Sequence, residues 1–132
     1  MALLVPNVGE EVMLHNILNK TAPQNMLLKL YTNNKTPVET DTESDYIEAS
    51  GSGYSALTLT GSNWTITPGA PSSATYAQQT FTFTGALGNV YGYFVVQETS
   101  QKLMWAEIFS NGPYNIQNSG DQIKITPNIQ LE

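Results

Sequence analysis

Three acidic side chains at alternate positions, Asp41, Glu43 and Asp45 in "DTESDYIEASGS", are the first residues whose spacing suits a chemical task. Oxygen ligands repeated this way open a calcium loop. The match then fails, because Tyr46 takes the sixth position where such a loop turns on Gly, and Ser52 takes the twelfth where it needs Glu. What remains is an improvised calcium site or a solvated loop of like charges. A second pair, Glu98 and Glu107, falls on the two arms of an expected hairpin. Facing carboxylates at such positions would suit glycoside hydrolysis; a structural carboxylate hydrogen-bonded across the sheet is the simpler expectation for Glu107.

The other chemical candidates are weaker still. His15 is the only histidine, so neither a triad nor a multi-histidine metal site can be assembled around it. It is expected on the polar face of a helix. Two Trp, Trp64 and Trp105, and seven Tyr offer a platform for stacking sugars or, equally, the filling of a core. "GSGY" at 51–54 lacks the Lys and following hydroxyl residue of a phosphate loop. With no cysteine, thiol catalysis, disulfides and thiolate metal sites are excluded. These residues make up no catalytic, cofactor-binding or metal-binding set, and the expectation is a protein without enzymatic activity or cofactor.

Charge narrows the partners. Five Lys, no Arg and eleven acidic residues give a net charge of −6. Nucleic acid is an unsuitable ligand, since its binding rests on phosphate neutralisation by Lys and Arg. No apolar run reaches the roughly 18 residues of a membrane helix, so no membrane partner is expected. The start lacks the basic stretch of a secretion signal, and Pro6, Glu10 and Glu11 interrupt its apolar residues. Synthesis and folding in a cytoplasm are therefore expected, and the Asn-x-Thr triplets at Asn19, Asn34 and Asn63 read as chance.

The elements that must position these residues are mostly strands. Helical period appears once, in "NVGEEVMLHNILNK", where Val8, Val12, Ile17 and Leu18, with Leu14 beside them, share a face. The expected helix runs over 8–19, with Asn7 as its cap and Pro23 as its stop. Beyond Pro23 the period becomes two. "MLLKLYT", "YSALTLT", "NWTIT", "QTFTFTG", "VYGYFVVQET", "KLMWAEIFS" and "DQIKITPNIQL" are bounded by Gly, Pro, Asn and Ser. "YSALTLT" and "NWTIT" are expected to pair across "GSN", and "VYGYFVVQET" with "KLMWAEIFS". Pro127 places the last strand at an edge or on a bulge. The pattern predicts an all-β fold, a jelly-roll-like β-sandwich of about 7–9 antiparallel strands with one short N-terminal helix.

Two regions divide the chain on this reading. Residues 1–22 form an N-terminal arm and helix, either an anchor for a partner or a cap on the core; residues 23–132 form the sandwich. Within the latter, 32–53 is an acidic loop carrying Glu39, Asp41, Glu43, Asp45 and Glu48, expected to project from the body.

Several stretches in order, the opening "MALLVPNVGEEVMLHNILN", then "MLLKLYTNNKTP", "GYSALTLTGSNWTIT", "QTFTFTG", "VYGYFV", "WAEIF" and "GDQIKITPNIQL", resemble small virion proteins from tailed-phage structural gene clusters. The resemblance covers nearly the whole chain, and the opening and "GYSALTLTGSNW" carry most of it. It implies a capsid decoration (cement) protein: a homotrimer made in the host cytoplasm, sitting on the capsid exterior and bound to the major capsid protein. A tail or fibre component binding host surface glycans through exposed Tyr and Trp64 is the competing expectation. For the decoration protein the interface candidates are Leu3, Leu4, Val5, Val8, Val12 and Ile17 at the front, with Met1 as a further anchor. At the back they are Ile125, Ile129 and Leu131, where an edge strand would meet a sister subunit.

Overall fold

The computed structural model describes residues 3–131. Met1, one of the expected anchor residues, lies outside them. The described chain is one helix and eleven antiparallel strands, the sandwich-like all-β fold its alternation predicts. α1 spans Asn7–Ile17. The strands are β1 Met26–Tyr31, β2 Leu57–Leu59, β3 Thr65–Thr67, β4 Ser72–Thr75, β5 Gln79–Thr82, β6 Gly88–Val90, β7 Gly92–Gln97, β8 Leu103–Ile108, β9 Tyr114–Ile116, β10 Gln122–Ile125 and β11 Asn128–Leu131.

The largest sheet has the order β2-β1-β7-β8. Its middle strands are apolar on both faces, and every residue of β7 is buried. Tyr93 and Val95 of β7 join Leu28, Leu30, Leu59 and Trp105 in the main core, facing Phe81, Phe83, Ile116, Ile123 and Ile125 from the opposite strands. Phe81 and Phe83 are buried while Thr80, Thr82 and Thr84 are exposed, as strict alternation requires. The alternate β7 residues Phe94 and Val96 face the other way, into a second cluster with Tyr31, Tyr46, Leu103 and Ala106.

That second cluster overturns the expectation for 32–53. The segment does not project; it lies over the outer face of the large sheet. The Tyr46 ring stacks on Phe94 at 5.2 Å and meets Tyr31 edge-on at 4.9 Å. A sheet buried on both faces needs a cover on each side, and the few apolar residues of this stretch supply one. Polar bonds fix the rest. Asn33 Nδ2 donates to the Asp45 carbonyl at 3.0 Å, and the Ile47 amide donates to Asn33 Oδ1 at 2.9 Å. Thr42 and Asp45 form a reciprocal capping box around the 3-10 turn Glu43–Asp45.

Two expected pairings also change. β2 pairs with β1, not with β3, and β3 pairs with β4. The 3-10 turn Gly61–Asn63 carries the chain from one sheet to the other. Tyr76 holds that corner, its hydroxyl accepting Asn63 Nδ2 at 3.3 Å and the Thr60 amide at 3.1 Å, and these bonds lower its pKa below the usual phenol range. The terminal strand divides at the fully buried Pro127 into β10, which pairs with β5, and β11, which pairs with β4. Between these ladders Tyr76, Ala77 and Gln78 stand opposite only Thr126 and Pro127, a bulge at the residue that has no amide to donate.

The front of the chain closes the β8 side. Leu4 and Ala106 exchange backbone hydrogen bonds, both 3.0 Å, so the arm continues the large sheet by one short strand position. α1 then turns onto β8. The register between β7 and β8 slips at Val95–Val96, leaving Met104 as an extra residue whose side chain turns to the main core beside that of Trp105. The helix backbone at Gly9 lies so near the Met104 carbonyl that a Cβ there would overlap it.

Candidate functional site

α1 is shorter than its periodicity predicts, and it presents a different face. Pro6 sits at the cap position, with its backbone extended, and Asn7 provides no side-chain cap; the Asn7 amide instead donates to the Glu39 carbonyl at 2.9 Å. The helix ends at Ile17, and Asn19 takes the left-handed conformation that closes such ends (φ 57°). Gly9 and Val12 are its buried residues, because the bulged β8 backbone accepts only that narrow stripe. Leu14, Ile17 and Leu18 are left 56%, 76% and 64% exposed. Their spacing puts them together on the last turn.

The nine interface candidates therefore separate. Val12 and Ile125 are buried among the chain's own core side chains and cannot meet a partner, a correction that follows from α1 docking through Val12 and β10 packing on β5. Leu3, Leu4, Val5 and Val8 are half-buried along the arm and the first helical turn. Ile17 and Leu131 are well exposed, and Ile129 is partly so. Leu3, Val5 and Met13 on one side and Ile129 and Leu131 on the other line a surface hollow of about 440 Å³. Met13 and Ile17 share a helix face, so this hollow continues toward the exposed last turn. Leu14 and Leu18 belong to the helical repeat but not to the nine interface candidates, and Met13 belongs to neither. Leu14 and Leu18 face outward because α1 docks through Gly9, a contact with no signature in hydrophobic period, while Met13 packs partly against the main core.

The acidic triplet does not converge. Asp41 is 4% exposed and turned inward. Its Oδ1 lies 2.7 Å from Lys35 Nζ, and its Oδ2 accepts the Val38 amide at 2.9 Å and the Tyr46 hydroxyl at 2.8 Å. Burial alone would raise this carboxyl; Lys35, Val38 and Tyr46 together hold it below the usual carboxylate range. Asp45 accepts the Thr42 amide at 2.8 Å, and Glu43 is exposed. Among the described residues no group of three or more His, Asp or Glu side chains is placed to hold a metal. Tyr46 and Tyr31 are pushed well above the ordinary phenol range, mainly by burial and then by the nearby carboxylates.

Glu98 and Glu107 are also kept apart. The β7–β8 hairpin forms as expected, but Glu107 pairs with Tyr93 while Glu98 sits at the turn. Five residues of strand separate them, about 17 Å at the usual rise. Glu107 is half-buried, and loss of solvent raises its carboxyl above the normal range. It lines a cleft of about 310 Å³ with Tyr93, Phe109, Tyr114 and Lys124. Trp64 does not form an exposed platform. Its ring meets Trp105 edge-on at 6.3 Å and Tyr76 at 5.2 Å, packed against the main core. His15 is half-buried, and its Nε2 lies 3.7 Å from Glu11 Oε1. Trp105 is fully buried.

No family model, curated protein or solved structure matches this chain. No helix among the described residues is long and apolar enough to cross a membrane.

Proposed function

We propose that this chain is a non-enzymatic capsid decoration protein of a tailed phage, bound outside the shell and stabilising it by surface contacts. The observation that carries the proposal is the apolar last turn of α1, Leu14, Ile17 and Leu18, exposed on a helix whose base is fixed by Gly9 against β8. A fixed apolar turn beside an apolar hollow is an adhesive surface, since folding has already ordered the groups that would meet a partner. The stretches of sequence that resemble phage virion proteins give the partner, the major capsid protein, and the location, the capsid exterior. A decoration protein meets many copies of its target on one lattice, so a patch of three side chains can suffice when several copies act together. Assembly as a homotrimer belongs to the same proposal.

The dispersal of the chemical candidates supports the non-enzymatic part. Asp41 is bound to Lys35, and Glu98 and Glu107 stand at opposite ends of a hairpin. The competing role, a tail or fibre component that binds glycans through Trp64, loses its proposed platform to the Trp64–Trp105 contact.

Imaging purified virions by electron cryomicroscopy tests the proposal, with regular projections over the shell as the expected result. Density confined to the tail would transfer the protein to the competing role. Ile17→Lys with Leu18→Lys should abolish binding to undecorated shells with little change in melting temperature, because both positions are exposed and cations suit the C-terminal end of a helix.

A further inference from the structure

We infer that copies of this chain join head to tail, strand β3 of one copy pairing with strand β11 of the next. The inference rests on the homotrimer part of the function proposed above and names the two surfaces that meet. Charge selects them. From Ala49 to Gln97 the sequence holds no Asp, Glu, Lys, Arg or His, so all eleven acids and all five Lys lie before or after that span. Two copies of net charge −6 repel each other, and a contact between them is least opposed where both sides are uncharged. The sheet β11-β4-β3 is such a place, since none of Asn128–Leu131, Ser72–Thr75 and Thr65–Thr67 carries a charge. Among the described residues β3 and β11 each have β4 as their one strand neighbour, which leaves an open edge on either side of the sheet. Open edges are ordinarily blunted by a charge or a Pro within the strand, or covered. Neither β3 nor β11 contains such a residue, whereas β10 holds Lys124 and the arm covers β8 at Ala106.

The side chains of the two edges match. Ile66 and Ile129 both stand opposite Ala74, so they share a face, and Leu131, two residues beyond Ile129, lies on it too. Ile129 packs against the main core, but Ile66 and Leu131, at opposite edges of that face, are 68% and 72% exposed. Both β3 and β11 run antiparallel to β4 and therefore parallel to each other. Rotating a second copy about an axis along the strands sets its β3 beside β11 in the same direction. Ile66 of that copy then lies against Ile129 and Leu131, along the β11 flank of the hollow, and the apolar face continues from one molecule into the next. A contact between two different edges leaves one of each open for the following copy and closes into a ring, here of three. Pairing β3 with β3 would stop at two. The β2 edge of the large sheet offers no comparable contact, because Leu59 is buried and Leu57 half-buried.

The test exploits a chain without cysteine. Full-length Ile66→Cys and Leu131→Cys proteins, both altered at exposed positions, are treated with a short bismaleimide crosslinker, singly and as a mixture assembled from separated chains. The expected result is linked pairs containing one chain of each kind in the mixture, none with either protein alone, and covalent rings of three from a chain carrying both substitutions. Ile66→Lys should raise the concentration at which trimers dissociate about tenfold or more, the share of one central contact. Links within either single-variant sample, filaments in place of rings, a trimer that gives no mixed link, or a wild-type chain that stays single would each overturn the inference. Shell binding separates this outcome from the capsid role: single chains that still decorate shells would remove the contact and keep the role, and linked trimers that bind no shell would do the reverse.

Discussion

At the scale of single residues the molecule contrasts two carboxylates. Asp41 has three partners and Glu107 has none among the described residues, and the two should respond to acid in opposite directions. The carboxyl of Asp41 is depressed in the folded chain. Its contribution to stability is present above the unfolded value of about 3.9 and is lost as pH falls through the folded value. Asp41→Asn should therefore reduce unfolding free energy at pH 7 by about 1.5–3 kcal/mol, as expected for hydrogen bonds to a charged group. Urea titrations at pH 7 and pH 3 should show the gap between variant and wild type narrowing under acid. Glu107 is raised, so its ionised form opposes folding at neutral pH. Glu107→Gln should be more stable than wild type at pH 7, and the difference should vanish once acid protonates the wild-type side chain. A Glu107→Gln protein less stable than wild type at pH 7 would mean that the carboxylate has a partner in solution.

At the scale of elements the cover over the large sheet deserves a direct test of its own. Tyr46 is its main apolar contact, stacked on Phe94 and bonded to Asp41. Tyr46→Ala should cost about 3–5 kcal/mol, the usual figure for removing a large aromatic from a core, and should open 32–53 to limited proteolysis ahead of the rest of the chain. The strands themselves were legible in the residues: Phe81 and Phe83 alternate with Thr, and the β7–β8 hairpin follows from two apolar runs around a polar turn. The cover was not legible, because its stability comes from a lone aromatic and from side-chain bonds such as Lys35–Asp41, which period counting cannot register. The partner of β2 was equally hidden. "GSN" has turn composition, but whether a turn returns a strand to its neighbour or sends it to another sheet depends here on the distant Tyr76 hydroxyl. The candidate site was half visible, since the helical repeat marked Ile17 and Leu18 as apolar but not as outward-facing.

At the scale of the whole molecule, eleven acids against five Lys keep the surface negative; exposed apolar side chains gather at the helix end and the hollow beside β11, while Val38, Ile47 and Ile66 are exposed elsewhere. Self-association through the hollow, with the helix end left for the shell, is the form in which the proposed homotrimer would assemble. Light scattering behind size exclusion should give a mass of three chains, and Leu131→Lys, at a position 72% exposed, should shift the population toward single chains without lowering the melting temperature. An unchanged trimer would move the contact elsewhere on the surface. The reciprocal bonds between Leu4 and Ala106 bear on how the protein should be handled. They occupy backbone groups of β8 that would otherwise be an open template at the end of a four-stranded sheet. Trimming the first six residues, or displacing them with a bulky fusion, would uncover that template, and the predicted product is filaments that grow by stacking sheets end to end.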